Sequence, residues 1–265
     1  MKTNLNSPLV LSIVSTEGGA GKSTTAINVA WQGYIRKGWR VLLVDLDSNK
    51  SLNHFLGTKA VRSPNETSLC LFESGFSGAL PIIPVFDSAS NIYLLPGHET
   101  LQADLITTRM SREKILKKVL PQTQAYSEFD LIILDNRGGI DAITHNSIAA
   151  ATHLLIGSKV GVKSPDLASA INSIAQVVRD LDLNPEPDLL GVFFSEMNTK
   201  SKTHQLISEG ARKGLSKYEG LKIYPDIPSS VLLAQANARH LPLSKVRASS
   251  SINEVYQAII EDLAA

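Results

Sequence analysis

The sequence has a single cysteine, Cys70, so it forms no intrachain disulfide, and a cysteine-ligated metal cluster would need ligands from a second chain. It has no long apolar run. The longest, Ala79–Phe86, is interrupted by Pro81 and Pro84, whereas a membrane span takes about 20 apolar residues. It also has no excess of charge. Against 26 Lys and Arg stand 25 Asp and Glu, a formal +1, which excludes holding nucleic acid or anionic lipid by bulk charge and leaves only a local basic face open. The opening MKTNLNSPLV has one lysine and no apolar core, so no secretory signal is expected and the default compartment is the cytoplasm. What the chain does have is 265 residues, 43% of them apolar, which is ordinary for a folded protein and far too apolar for disorder.

Short apolar runs alternate with amphipathic stretches. Strands are expected at Leu9–Ser15, Arg40–Leu46, Asn91–Leu95, Phe129–Leu134, His153–Ile156, Leu189–Ser195 and Leu221–Tyr224. Helices are expected at Thr24–Lys37, ended by Gly38, and at Ala103–Leu120, stopped by Pro121. Further helices are expected at Ser164–Leu181, Lys200–Leu215, Ser229–Ala238 and Ser251–Leu263. The helix from Ser164 opens on Ser164-Pro165-Asp166, a capping hydroxyl followed by proline at the first helical position. Gly57–Asp87 has no clear period and reads as loops with one short helix near Ser68–Glu73. Several strands are apolar without alternation, as strands covered on both faces are. The expected fold is α/β: one domain over residues 1–265, doubly wound, with a mostly parallel sheet and helices on both faces.

Between the first strand and the first helix lies Gly18-Gly19-Ala20-Gly21-Lys22-Ser23-Thr24. Glycines allow a turn tight enough for main-chain N–H groups to converge on a phosphate, and the helix that follows adds its positive end. The placement predicts that Lys22 reaches the β- and γ-phosphates of a nucleotide, that Ser23 gives its hydroxyl to Mg²⁺, and that Thr24 contacts the α-phosphate. Asp45, Asp47 and Asp135 end predicted parallel strands, on the sheet edge where ligands of open α/β sheets bind.

The double glycine before x-G-K-S resembles the deviant Walker A motif of the ParA/MinD superfamily of ATPases, a group of P-loop NTPases. Val41–Asp47 (VLLVDLD) is similar to that family's second strand and D-x-D, and Phe129–Asp135 (FDLIILD) to its Walker B strand. Ile227–Leu243 is similar to the I-P…L-x-E-A…P-[IL] segment of ParA proteins, and the order of the four blocks resembles the ParA branch best. The resemblance implies an ATPase that uses ATP and Mg²⁺, with Asp45 and Asp135 holding the metal through waters and Asp47 orienting the attacking water. It implies a slow, partner-stimulated cycle in which an ATP-bound homodimer binds non-specific DNA on the nucleoid. It also implies positioning of a cargo, a plasmid or chromosome locus or a protein compartment such as a carboxysome, with a small adaptor protein of the ParB or McdB kind. By the same resemblance Asn198 reads the adenine edge, although an Asn after a strand is equally ordinary turn chemistry, and Pro228 packs on the base.

Three features depart from that pattern. Glu17 stands where the family has a lysine that reaches the partner's phosphates, as in few relatives, among them some that space carboxysomes. Lys159 or Lys163 would then supply the cation, or the nucleotide is not sandwiched, or Glu17 points to solvent. Asn136-Arg137-Gly138-Gly139 follows the Walker B strand, with Arg137 free either to meet phosphate or to pair with a surface acid. Ser48-Asn49 replaces P-Q after Asp47. The last helix carries Glu254, Glu261 and Asp262 and no lysine, so no membrane partner is expected. The C-terminal third is locally basic, with Lys200, Lys202, Arg212, Lys213, Lys217, Lys222, Arg239, Lys245 and Arg247. Competing readings are a non-hydrolysing ATP-binding scaffold and a metabolic ATP-dependent ligase.

Overall fold

The computed structural model describes residues 7–58, 63–87, 90–102, 112–160, 167–218 and 220–265. β1 (Leu9–Val14) feeds the glycine-rich turn and α1 (Lys22–Lys37), β2 (Val41–Leu46) feeds the short α2 (Ser51–Phe55), and β3 (Ile83–Pro84) and β4 (Ile92–Leu95) follow. Next come α3 (Ile115–Val119), β5 (Leu131–Asn136), α4 (Ala142–Ala150), β6 (His153–Lys159), α5 (Leu167–Asp180) and β7 (Asp188–Ser195). The chain closes with α6 (Lys202–Leu215), α7 (Val231–Ala238), α8 (Leu243–Val246) and α9 (Ile252–Leu263).

The strands form one sheet in the order β3-β4-β2-β5-β1-β6-β7. Every pairing is parallel except the two-residue edge β3 on β4. β1 lies in the middle because it is apolar on both faces. Leu11 and Ile13 pack with Ala26, Ile27, Tyr256 and Ile259 under α1 and α9, while Val10 and Val14 pack toward α4 and α5. Burying apolar side chains on both sides is the main favourable term holding such a sheet. α1 ends where Gly38 takes φ 68°, a left-handed cap whose N–H donates to Tyr34 O.

The α/β, doubly wound, mostly parallel arrangement is as the sequence predicts, and five details differ. Leu221–Tyr224 is not a strand. It makes one isolated bridge, Ile223 to Val192, and the next bond to β7 falls out of register, from Ile227 N–H to Phe194 O. Gly57–Asp87 contains the expected turn of helix at Ser68–Phe72 but also β3, whose two residues are too few to show a period. α2 is equally short. α4 is buried along most of its length, so it lacks amphipathic spacing, although Asp141, which caps Ile143 and Thr144 N–H, was a readable start signal. Of the expected helix Ala103–Leu120, residues 103–111 lie outside the described residues, as does the Ser164-Pro165-Asp166 opening. The remainder of the first, α3, continues as a 3-10 turn through Gln122. Two strands run past their expected ends, β5 to Asn136 and β6 to Lys159, and both extensions carry residues of the site.

Candidate functional site

The turn after β1 ends at Gly21, whose φ of 71° is left-handed and whose Cα faces Ser195; a Cβ there would sit 3.0 Å from Ser195 Cβ. Glycine therefore answers both conformation and space. The first helical bond is Thr25 N–H to Gly21 O, so the amides before it have no intrahelical partner and face the turn's concavity. Lys22 is 6% exposed and donates from Nζ to Glu17 O over 3.2 Å. Burial lowers its pKa, against the raising charges of Asp135, Asp47 and Glu17.

Gly18 to Thr24 line a cleft of about 510 Å³ together with Asp47, Asn49, Ser51, His54, Asn136, Gly138, Glu196 and Asn237. A contiguous cleft of about 200 Å³ runs on past Gly21 and Thr24 and is lined by Phe55, Ser195, Pro228 and Asn237. The structure thus brings Gly18, Gly19, Ala20, Gly21, Lys22, Ser23, Thr24 and Asp47 to one cavity and sets Pro228 beside it. Asn198 lines neither cleft. It is exposed, and its Oδ1 accepts from Lys200 N–H over 3.1 Å, the turn role that its residue type also suggests.

The three strand-end carboxylates have different surroundings. Asp47 is 7% exposed, and its position is set by the residues after it: Oδ1 accepts from Asn49 N–H and Nδ2 (2.9 and 3.0 Å) and Oδ2 from Ser51 Oγ (2.7 Å). Asp45 is fully buried and lines neither cleft. Its Oδ1 accepts from Asp47 N–H (3.0 Å) and its Oδ2 from Leu52 and Asn53 N–H (3.0 and 3.3 Å). The bonds to Oδ2 help fix α2 to the sheet, while Oδ1 keeps capacity for a further hydrogen bond, as the expected hold on a metal through a water would need. Burial, and then the Asp135 charge, raise its pKa well above the usual carboxylate range.

Asp135 is the register neighbour of Asp45 and is also fully buried, yet neither of its oxygens has a partner at hydrogen-bond geometry. Burial pushes its pKa up to about 7, against the opposing pull of the Ser23 hydroxyl and the Lys22 ammonium. An orphaned buried carboxylate is costly unless a cation or ordered water meets it. Among the described residues no cluster of three His, Cys, Asp or Glu side chains is placed to hold a metal. This donor set fits Mg²⁺, which takes one or two protein ligands and fills its sphere with phosphate oxygens and waters. Asp135 and the Ser23 hydroxyl are the side chains present for it.

Asn136, expected in the turn after the Walker B strand, is instead the last residue of β5. Its Nδ2 donates to Ser12 Oγ (3.1 Å), Ile13 O (3.0 Å) and Ser147 Oγ (2.9 Å), a wholly buried network that leaves Oδ1 without a partner. The next residues form the switch-like turn. Arg137 pairs with Asp141, which decides between its two expected roles. A Cβ on Gly138 would lie 2.5 Å from Gly18 N and 2.6 Å from Glu17 C, so this turn rests directly on the phosphate loop.

Glu17 neither points to solvent nor lies free. Its Oε1 accepts from Lys159 N–H (2.9 Å) and Ser158 Oγ (3.2 Å) at the end of β6. The Lys159 ammonium pairs in turn with Glu196, a residue held at φ 56° where β7 gives way to the loop. Lys163 lies outside the described residues.

Comparison with known proteins agrees with this geometry. The AAA domain family matches residues 9–186. The chromosome-partitioning ATPase Soj of Treponema pallidum is 26% identical over 261 residues, covering 96% of each chain. Among solved structures, apo McdA of Cyanothece superposes with a TM-score of 0.81 at 25% identity, covering 96% of this chain and 99% of that one. The ATP complex of a Cyanothece McdA variant superposes with a TM-score of 0.84 at 23% identity, covering 98% of both.

Proposed function

Since the chain belongs to the AAA domain family, and within it to the ParA branch of the ParA/MinD superfamily, we propose that it is a ParA-type positioning ATPase comprising one domain over residues 1–265. The observation that carries the ATPase reading is the orphaned Asp135 carboxylate beside Lys22 and Ser23 at the base of the glycine-rich turn.

ATP supplies the phosphoryl group, and Mg²⁺ neutralises the charge that develops on it. The amides of Gly18 to Thr24 and the Lys22 ammonium bind the phosphates. Ser23 and Asp135 hold the metal. Asp47, braced by Asn49 and Ser51, accepts a hydrogen bond from the attacking water and orients it. Pro228 borders the cleft that takes the nucleoside, and Asn198 serves the loop rather than the base.

An ATP-dependent homodimer fits a site that opens along one sheet edge. Glu17 is engaged in cis and Lys159 is paired with Glu196, so neither is placed as the family's trans lysine is. In the C-terminal third, Arg212, Lys222 and Lys245 are paired with Asp226, Asp262 and Asp87, which leaves Lys200, Arg239 and Arg247 as the cations for non-specific DNA. A small adaptor protein of the ParB or McdB kind would stimulate turnover, and a nucleoid-bound, cytoplasmic cycle would carry the cargo. Among the described residues no helix is long and apolar enough to cross a membrane.

A second reading, an ATP-binding scaffold without turnover, is favoured by the Arg137–Asp141 pair, which engages the one cation of the turn after β5. Phosphate release, measured with and without duplex DNA, separates the two. The proposal expects slow Mg²⁺-dependent release and ATP-dependent, salt-sensitive DNA binding; no release under any condition supports the scaffold.

A further inference from the structure

α5 and α6 leave between them a groove of about 290 Å³ on the far side of the fold from α1 and α9. Leu167 and Ala168 form one wall, and Leu206, Gly210 and Gly214 of α6 form the other. Leu206 is 69% exposed, an unusual position for a leucine in the middle of a helix face. A Cβ on Gly210 or Gly214 would meet nothing within 4 Å, so the trough is open above both glycines.

The charge around this trough is one-sided. Lys202 and Lys213 lie on the same helical face as Leu206 by the 3.6-residue period, Lys217 follows just past the helix, and all three are exposed. None has an ion-pair partner among the described residues; Lys217 rests its ammonium 5.3 Å over the Tyr218 ring. Glu209 is the one acid on that face.

We propose that this groove docks an amphipathic helix of a partner protein whose apolar stripe is bordered by Asp and Glu. The apolar floor separates this from a nucleic-acid site. A phosphate backbone gains nothing from covering Leu206, whereas a helix laid in a groove buries it and meets the lysines with carboxylates at the rim. A groove of this size accepts about two or three apolar anchor side chains, which makes the contact weak and transient.

The test uses the full chain and two synthetic helical peptides of about 18 residues with the same leucine stripe, one flanked by Glu and one by Lys. Fluorescence polarisation should show the acidic peptide binding in the micromolar range, about tenfold tighter than its basic twin and weakened by salt. Leu206→Glu and Gly210→Phe should each cost about tenfold, and the double variant Lys202→Glu/Lys213→Glu should reverse the preference between peptides. An unchanged Tm, with unchanged MgATP binding, shows that each variant is folded. Equal binding of the two peptides, or binding indifferent to Leu206→Glu, overturns the proposal. So does duplex DNA that competes the acidic peptide off the wild-type groove, or loss of a self-associated species on Leu206→Glu in sedimentation, which would assign the groove to a second copy.

Discussion

Lys159 donates its main-chain N–H to Glu17 Oε1 across 2.9 Å, tying the phosphate loop to the end of β6 within one chain. At this position the resemblance to ParA proteins predicts a lysine that serves a partner; here the residue serves its own loop. A hydrogen bond to a charged acceptor is worth roughly 1.5–3 kcal/mol. Glu17→Ala should therefore weaken MgATP binding by about tenfold, while Glu17→Gln, which keeps the accepting oxygen, should recover most of it. Calorimetric titration of the three proteins decides this, and equal affinities would dissolve the link.

Asp47 is held by Asn49 and Ser51 in a conformation that leaves it lining the cleft. Asp47→Asn should retain MgATP affinity within about threefold and lower turnover at least about tenfold, because orienting water matters only in the hydrolytic step. Single-turnover phosphate release measures it; undiminished release would remove Asp47 from the chemistry.

Asp135 gives a pH dependence of definite sign. Its folded pKa of about 7 lies above that of the unfolded carboxyl. Between the two values the folded state therefore binds more protons than the unfolded state, and stability falls as pH rises through this window. In metal-free protein, Asp135→Asn should raise Tm above neutral pH and flatten the decline, and the same substitution should abolish the stabilisation that MgATP gives. Thermal melts across the window, with and without MgATP, report both effects.

Gly138 lies where a Cβ would collide with Gly18 N and with the Glu17 carbonyl. Gly138→Ala should displace the turn from the phosphate loop. Nucleotide affinity should then drop several-fold, with little change in Tm, since the turn is at the surface of the cleft. A loss of Tm without a loss of affinity would make the contact structural only.

The parts of this molecule that were legible in the sequence are those with a repeating physical signature. β1, β2, β5, β6 and β7 are apolar runs that must be covered on both faces, and the glycine-rich turn has few other uses between a strand and a helix. What was illegible was set by long-range contacts. Asp45 and Asp47 look alike in D-x-D, yet one accepts three main-chain N–H groups from α2 and its approach while the other faces the cleft. Asn136 is defined by Ser12 and Ser147, more than a hundred and about ten residues away. Glu17 posed a question about its partners that only the position of Ser158 and Lys159 answers. Leu221–Tyr224 shows the converse: an apolar run whose bonds to β7 slip out of register after Tyr224, leaving one isolated bridge instead of a ladder.

The central claim is that the turn from Thr16 to Ser23 closes on the phosphates of MgATP, with Lys22 as its cation. Isothermal titration of the full chain with ATP and Mg²⁺, beside Lys22→Ala, tests it most directly. The account predicts one nucleotide per chain for the wild type, with dependence on Mg²⁺, and an affinity lower by at least about a hundredfold in the variant. A wild-type titration without heat at several temperatures, or an unaltered isotherm for Lys22→Ala, contradicts it.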